Sequence, residues 1–298
     1  MDKEILEKYL LAGSIAADVR EESRKFIKID APLLEIAEKI ESLIREKGAL
    51  LAFPVNISIN ESAAHYTPTK KDETRVKKDD LIKIDIGTHI DGYIGDTAYS
   101  FSFSKENEKL IEASKKALEE AIKLCTPGSL LSDVSSKIEE TIRGFSFSPI
   151  ANLTGHGLEK YDLHAEPQIP NVKFKGDYRL KEGQVIAIEP FATNGSGMIK
   201  ESEPTLIFSL IEKKPVRNQD ARLIMKFAES FRGLPFTERW IPIDSMVKIR
   251  IALRELRERR IIYDYPVLKE VANGKISQAE HTVIVRDEPI VTTGIPSK

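Results

Sequence analysis

Apolar residues recur at helical spacing over residues 4–26, where Ile5, Tyr9, Ala12, Ala16 and Val19 share one face. Gly13 interrupts that pattern without ending it. A second helix is expected from about 31 to 48, with Asp30 as N-cap, Pro32 in its first turn and Leu33, Ile36, Ala37, Ile40 and Ile44 as its stripe. Residues 51–60 and 81–87 read as strands, and 93–103 as the return strand of a hairpin. Helices follow at about 105–124 and 129–143, then strands near 150–154, 184–191 and 205–211. Two more helices fit 218–232, with Leu223, Phe227 and Phe231 on one face, and 244–260. Strands near 280–286 and 289–293 follow.

The pattern repeats. Leu33, Ile36, Ile40, Glu41 and Ile44 return 98 residues later as Leu131, Val134, Ile138, Glu139 and Ile142. LIKID at 81–85 returns as VIAIE at 185–189. Each half therefore offers two helices and a strand ending in an acid, and a two-fold pseudo-symmetric α+β sheet would bring Asp85 and Glu189 to matching places. Residues 208–270 have no counterpart in the first half and read as a helical insertion in a single domain spanning 1–298.

Charge narrows the function classes only slightly. Lys+Arg total 45 and Asp+Glu 47, which offers no basic platform for nucleic acid. No apolar run reaches the roughly 20 residues of a membrane span, and the first residues lack the basic-then-apolar pattern of a signal peptide. The lone cysteine, Cys125, cannot form an intrachain disulfide and reads as a small apolar residue near a helix end. These features fit a cytoplasmic protein.

The chemistry is concentrated in IDIGTHIDGYIGDTA, residues 84–98. Asp91-Gly92 is a two-residue turn signal, and the hairpin it closes sets Asp85 opposite Ala98 and Gly87 opposite Asp96. Asp85 and Asp96 then share a face as diagonal neighbours, about 7–8 Å apart between α-carbons. Two converging carboxylates need a proton or a cation between them, or a structural partner such as arginine or backbone amides. His156 in TGHG, Glu189 in VIAIEPF and Glu280 in AEHTVIV extend the donor set to four carboxylates and one imidazole. That set suits Mn²⁺, Fe²⁺, Co²⁺ or Zn²⁺, and five ligands with bridging carboxylates suit two ions ~3.5–4 Å apart.

NESAAHYTP (60–68), IDIGTHIDGYIGDTA (84–98), TGHG (154–157), HAEPQIPN (164–171), IEPFATNGSG (188–197) and AEHT (279–282) together resemble the methionine aminopeptidases of type II. The layout without a long charged N-terminal extension is similar to the archaeal members. Asn194 is the one departure, at a position where many relatives carry an acid. The resemblance implies the pseudo-two-fold pita-bread fold of the creatinase family: a curved, mainly antiparallel sheet, flanking helices and an inserted helical subdomain. It implies two divalent metal ions, held by Asp85, Asp96, His156, Glu189 and Glu280. Asp96 and Glu280 would contact both ions, Asp85 mainly one, and His156 and Glu189 the other.

The implied reaction removes an N-terminal methionine by attack of a metal-bridging hydroxide on its carbonyl. Glu280 would shuttle the proton, His164 donate toward the scissile amide and His65 help stabilise the oxyanion. Phe53, Leu163 and Phe191 are the expected walls of a pocket for the thioether side chain. His89 is expected on the surface beside the turn, and His281, of opposite strand parity to Glu280, facing away from the metals. Nascent polypeptides would be the substrate, with the ribosome as a further partner that no residue specifies, and a monomer is adequate. Two alternatives stay open: a prolidase or aminopeptidase P on the same fold, and a non-enzymatic relative that binds RNA or protein partners.

Overall fold

The computed structural model describes residues 1–294. The chain begins with helices α1 (Lys3–Ser23) and α2 (Leu33–Glu46), then strands β1 (Leu50–Leu51), β2 (Asn56–Ile59) and β3 (Ser62–Ala64). The hairpin β4 (Ile82–Ile90) and β5 (Tyr93–Phe101) follows. The second half repeats the plan with α3 (Glu108–Ile122), α4 (Leu131–Gly144), β6 (Ser148–Pro149), β7 (Thr154–Glu159), β8 (Asp162–Pro170) and β9 (Val185–Ile188). Next come β10 (Phe191–Thr193), β11 (Ile199–Leu210), α5 (Gln219–Glu229), β12 (Phe236–Thr237) and α6 (Met246–Glu258). The last strands are β13 (Ile262–Glu270), β14 (Ile276–Gln278), β15 (His281–Ile284) and β16 (Ile290–Val291).

Every named strand pairing is antiparallel. The Asp91-Gly92 turn, with φ of 52° and 90°, sets the hairpin register that its sequence predicts. Asp85 pairs with Ala98, and Gly87 with Asp96. In the second half β9 pairs with β15, so Glu189 and Glu280 each stand one residue past the Ile188–His281 pair. The two hairpins meet edge to edge: the Glu280 N–H donates to Ala98 O at 2.9 Å, and Thr282 Oγ1 both accepts from Asp96 N and donates to Asp96 O. This seam brings four acids, distant in sequence, to one place.

Helices cover the sheet from outside. The apolar stripe of α2, Leu33, Ile36, Ile40 and Ile44, packs with Ile57, Ile82, Ile84 and Ile86 in one core. The matching stripe of α4, Leu131, Val134, Ile138 and Ile142, packs with Ile186, Ile188 and Cys125 in another. The repeat read in the sequence is thus a repeat of cores. α1 lies against the β4–β5 hairpin so closely that a Cβ on Gly95 would fall 2.7 Å from the Gly13 backbone.

Several expectations are corrected. The strand expected over 51–60 is broken by Phe53-Pro54-Val55, because proline has no N–H for the ladder. Strand β8 falls in a stretch, DLHAEPQIP, whose two prolines hide a strict in–out alternation. The strand expected near 150–154 is instead the turn between β6 and β7, with Thr154 alone of those residues in a strand. Between β11 and β13 the two expected helices form their own core with Phe236, but Leu223 is exposed and Ala221, Ile224 and Ala228 are the buried face of α5. Residues 262–270 are strand, paired along most of β11. His89 is buried, not on the surface: its Nδ1 accepts the turn N–H of Gly92 at 3.1 Å, and its ring meets Tyr161 edge-on. Among the described residues no helix is long and apolar enough to cross a membrane.

Candidate metal centre and active site

Each donor reaches the centre from a different piece of main chain. Asp85 and Asp96 point from neighbouring strands of the first hairpin, and Glu189 and Glu280 flank the matching position of the second. His156 stands on β7 between Gly155 and Gly157. A Cβ at either glycine would strike a carbonyl oxygen, Ala187 O at 2.3 Å or Glu166 O at 2.2 Å. Glycine there lets β7 press against its neighbours and carry the imidazole inward.

All five side chains line one cavity of about 210 Å³. His65, His164, Phe53, Leu163 and Phe191 line it too, so the sequence-predicted site residues converge completely. Donor atoms of Asp96, His156 and Glu280 lie within 4.8 Å of one another. His156 Nε2 stands 3.6 Å from Glu189 Oε1 and 3.9 Å from Asp96 Oδ2, too far for good hydrogen bonds. Asp85 borders this group beside Gln278.

The arrangement lacks a counter-charge of its own. Burial raises the Asp85 pKa to about 7, against hydrogen bonds from Gln278 and the Ile86 amide. Burial, then the Asp85 and Glu189 charges, raise Asp96 well above the carboxylate range. Glu189 is raised by burial and Asp85, and Glu280 by burial and its three acidic neighbours. Oδ1 of Asp85 and Oδ1 of Asp96 are buried without a hydrogen-bond partner. Native structures rarely leave such atoms unsatisfied. Four crowded carboxylates, two orphaned oxygens and a neutral imidazole fit a divalent cation.

The histidines divide by their hydrogen bonds. His156 Nδ1 lies 3.2 Å from Gly157 O; a carbonyl only accepts, so Nδ1 carries the proton and Nε2 offers its lone pair to the acids. Burial lowers the His156 pKa to about 4. His65 Nδ1 similarly donates to Pro266 O at 3.1 Å, and burial lowers its pKa to about 4. Neutral His65 therefore presents an acceptor, Nε2, to the cavity. The resemblance implies instead that His65 helps stabilise the oxyanion, a role that a donor would fill. His164 is exposed at the cavity mouth, yet partial desolvation and then His156 and His65 lower its pKa, and its ring nitrogens make no hydrogen bond to described residues. The Tyr265 ring lies 5.6 Å from His65 and 5.7 Å from His164. His281 faces the other way, with Nδ1 2.8 Å from Thr293 Oγ1.

Sequence reasoning missed Tyr265, Asn56 and Pro235 in the lining, and Gln278 behind the acids. Gln278 Nε2 donates to Glu189 Oε2 at 3.3 Å and lies 3.5 Å from Glu280 Oε2. Its strand parity with Glu280 was a usable signal. Tyr265 carried none.

The model of metallopeptidase family M24 matches residues 7–228. A methionine aminopeptidase of Pyrococcus abyssi is 48% identical over 292 residues, covering 97% of this chain and 99% of the relative. Among solved structures, a thermophilic Arx1 superposes with a TM-score of 0.88 at 19% identity, over 100% of this chain and 92% of that one. The methionine aminopeptidase of Thermotoga maritima superposes at 0.73 with 22% identity, over 99% and 98% of the two chains. At such identities these likenesses show the shared pita-bread fold. With that fold, the matched family model and the relative aligned end to end, the chain belongs to metallopeptidase family M24.

Proposed function

We propose that the protein is a metal-dependent aminopeptidase that removes the N-terminal methionine of nascent proteins and peptides. The observation that carries this reading is one cavity holding a five-donor acidic cluster, two neutral histidines and an apolar wall. The likeness to the Pyrococcus abyssi methionine aminopeptidase supports methionine as the residue released.

Asp85, Asp96, His156, Glu189 and Glu280 would hold two divalent ions. Bound there, the ions supply Lewis-acid polarisation of the carbonyl and acidify a water to near-neutral pKa. Glu280 accepts the proton of the attacking water at a carboxylate oxygen and later passes it to the departing amine. The C–O bond forms first, placing charge on the carbonyl oxygen, and the C–N bond of the first peptide breaks once the leaving nitrogen takes the proton from Glu280. His164, with no competing hydrogen bond, donates an N–H to the oxygen on which charge develops. His65 Nε2 accepts from the N–H of the scissile bond and orients the leaving nitrogen. Phe53, Leu163 and Phe191 take up the thioether side chain, which suits adaptable apolar surroundings.

All these residues belong to one chain, so a monomer suffices. Nascent chains as substrate make the ribosome a natural partner, which co-sedimentation would detect. The deciding assay gives the Mn²⁺- or Co²⁺-loaded protein a peptide beginning Met-Gly and, separately, an X-Pro dipeptide. Release of free methionine is expected. Cleavage of the X-Pro dipeptide alone would assign the prolidase-type activity instead. Metal titration followed by elemental analysis is expected to give two ions per chain.

A further inference from the structure

Behind the cavity lies a buried ion pair that takes no part in lining it. The side chains of Arg239 and Glu41 are each 3% exposed. They meet in a two-point contact, Nη1 to Oε2 at 2.7 Å and Nη2 to Oε1 at 2.8 Å. Glu41 belongs to α2, whereas Arg239 belongs to the segment between β11 and β13 that has no counterpart in the first half.

Their remaining hydrogen bonds reach two stretches that carry cavity residues. Arg239 Nε donates to Pro68 O at 3.0 Å, and Nη2 to Thr67 Oγ1 at 3.1 Å. These residues follow His65 directly in the AHYTP motif. Glu41 accepts from Trp240 Nε1 at 2.9 Å and from the Val55 N–H at 3.4 Å. Val55 lies between the cavity residues Phe53 and Asn56.

His65 needs such support. Its φ is 64°, a left-handed conformation that a non-glycine residue holds only when its surroundings over-determine it. Pro266 O fixes one ring nitrogen, and the 66–68 main chain fixes the backbone. Arg239 grips that segment at two points, the Pro68 carbonyl and the Thr67 hydroxyl. Arginine is suited to this because its planar fork serves a carboxylate and two further acceptors at once, which a lysine ammonium cannot do.

We propose that Arg239, held by Glu41, is a positioning residue for His65. Through it the inserted segment sets the aim of Nε2 and not only the outline of the cavity. The catalytic readout of this inference rests on the aminopeptidase reading above. The ring itself offers a readout that does not.

The test compares wild type with Arg239→Lys and Glu41→Gln, and with the double variant Arg239→Met/Glu41→Leu, which removes both charges if a single variant fails to fold. Folded protein is used throughout: kcat and KM on a Met-Gly peptide are measured with Mn²⁺ loaded, and Mn²⁺ affinity by calorimetry and the His65 Nδ1–H resonance on protein prepared metal-free. The expected result is a kcat at least tenfold lower, with KM and Mn²⁺ affinity within threefold of wild type and the His65 resonance shifted or broadened. A folded variant with kcat within twofold and an unmoved resonance would overturn the proposal. So would parallel losses of metal affinity and activity, which mark a general support. If wild type releases no methionine, the aminopeptidase reading fails and the resonance alone judges the pair.

Discussion

In the proposed mechanism two histidines of the same cavity carry opposite hydrogen-bonding duties, and a single neighbour decides which. Pro266 O holds the proton of His65 on Nδ1, leaving an acceptor toward substrate, whereas His164 is free to donate. We predict that His164→Ala lowers kcat by about 10²–10³, the range for loss of one transition-state donor. His65→Ala should cost less, about 10–10², because it removes an orienting contact. Steady-state kinetics at saturating metal separates the two; equal losses would contradict the division. Asp96→Asn should fold and lose metal-dependent activity, since it replaces an ionised oxygen that two neighbouring donors approach. Full activity in that variant would remove Asp96 from the donor set. At this scale the sequence was readable where chemistry clusters in short motifs, as with TGHG and AEHT. It was unreadable where a distant atom decides. Pro266 is 201 residues from His65 in sequence, and nothing in AHYTP announces it. His89 was misread for the same reason, since the acceptor it gives the Gly92 N–H and the Tyr161 ring that covers it arise only in the fold.

Elements are held to the site by close backbone contact. Gly95 adjoins Asp96, and its Cβ, if present, would press on the Gly13 backbone of α1 at 2.7 Å. Backbone cannot yield as a side-chain tip can, so Gly95→Ala should force α1 and the hairpin apart. The expected loss is about 1–3 kcal/mol, the usual size of overpacking. Chemical denaturation of the metal-free protein measures it, and a change under ~0.5 kcal/mol would show that the seam is not tight. The hairpin itself was legible, down to its register, because a DG turn and period-two alternation leave one solution. The outlying strands were not. Prolines in β8 and at Pro54 gave conflicting local signals, and pairing with distant strands resolved them.

On the scale of the whole molecule, folding crowds together carboxyls that a proton or a cation must relieve. Asp85 is raised from 3.8 to about 7, and Asp96, Glu189 and Glu280 move the same way. A carboxyl whose folded pKa exceeds its unfolded value binds its proton more tightly when native. Its cost to the metal-free fold is absent below about pH 4 and grows to full size near pH 7 for Asp85. The Tm of metal-free protein should therefore fall between pH 5 and 8, while the gain on adding Mn²⁺ rises over the same interval. Scanning calorimetry with and without metal tests both trends, and a metal-induced gain independent of pH would contradict them. The two-fold plan was legible because the α2 and α4 stripes repeat the same spacing against equivalent strands. The link between the inserted segment and the His65 loop was not, because it needs Arg239 to find a glutamate 198 residues away.

The central claim is that five side chains from both halves of the chain form one divalent-metal centre. Anomalous diffraction from a crystal soaked in Mn²⁺ tests it most directly. The account predicts two peaks enclosed by Asp85, Asp96, His156, Glu189 and Glu280, one of them within ligand distance of Asp96, His156 and Glu280 together. Metal bound elsewhere, with no signal among these five residues, would contradict it.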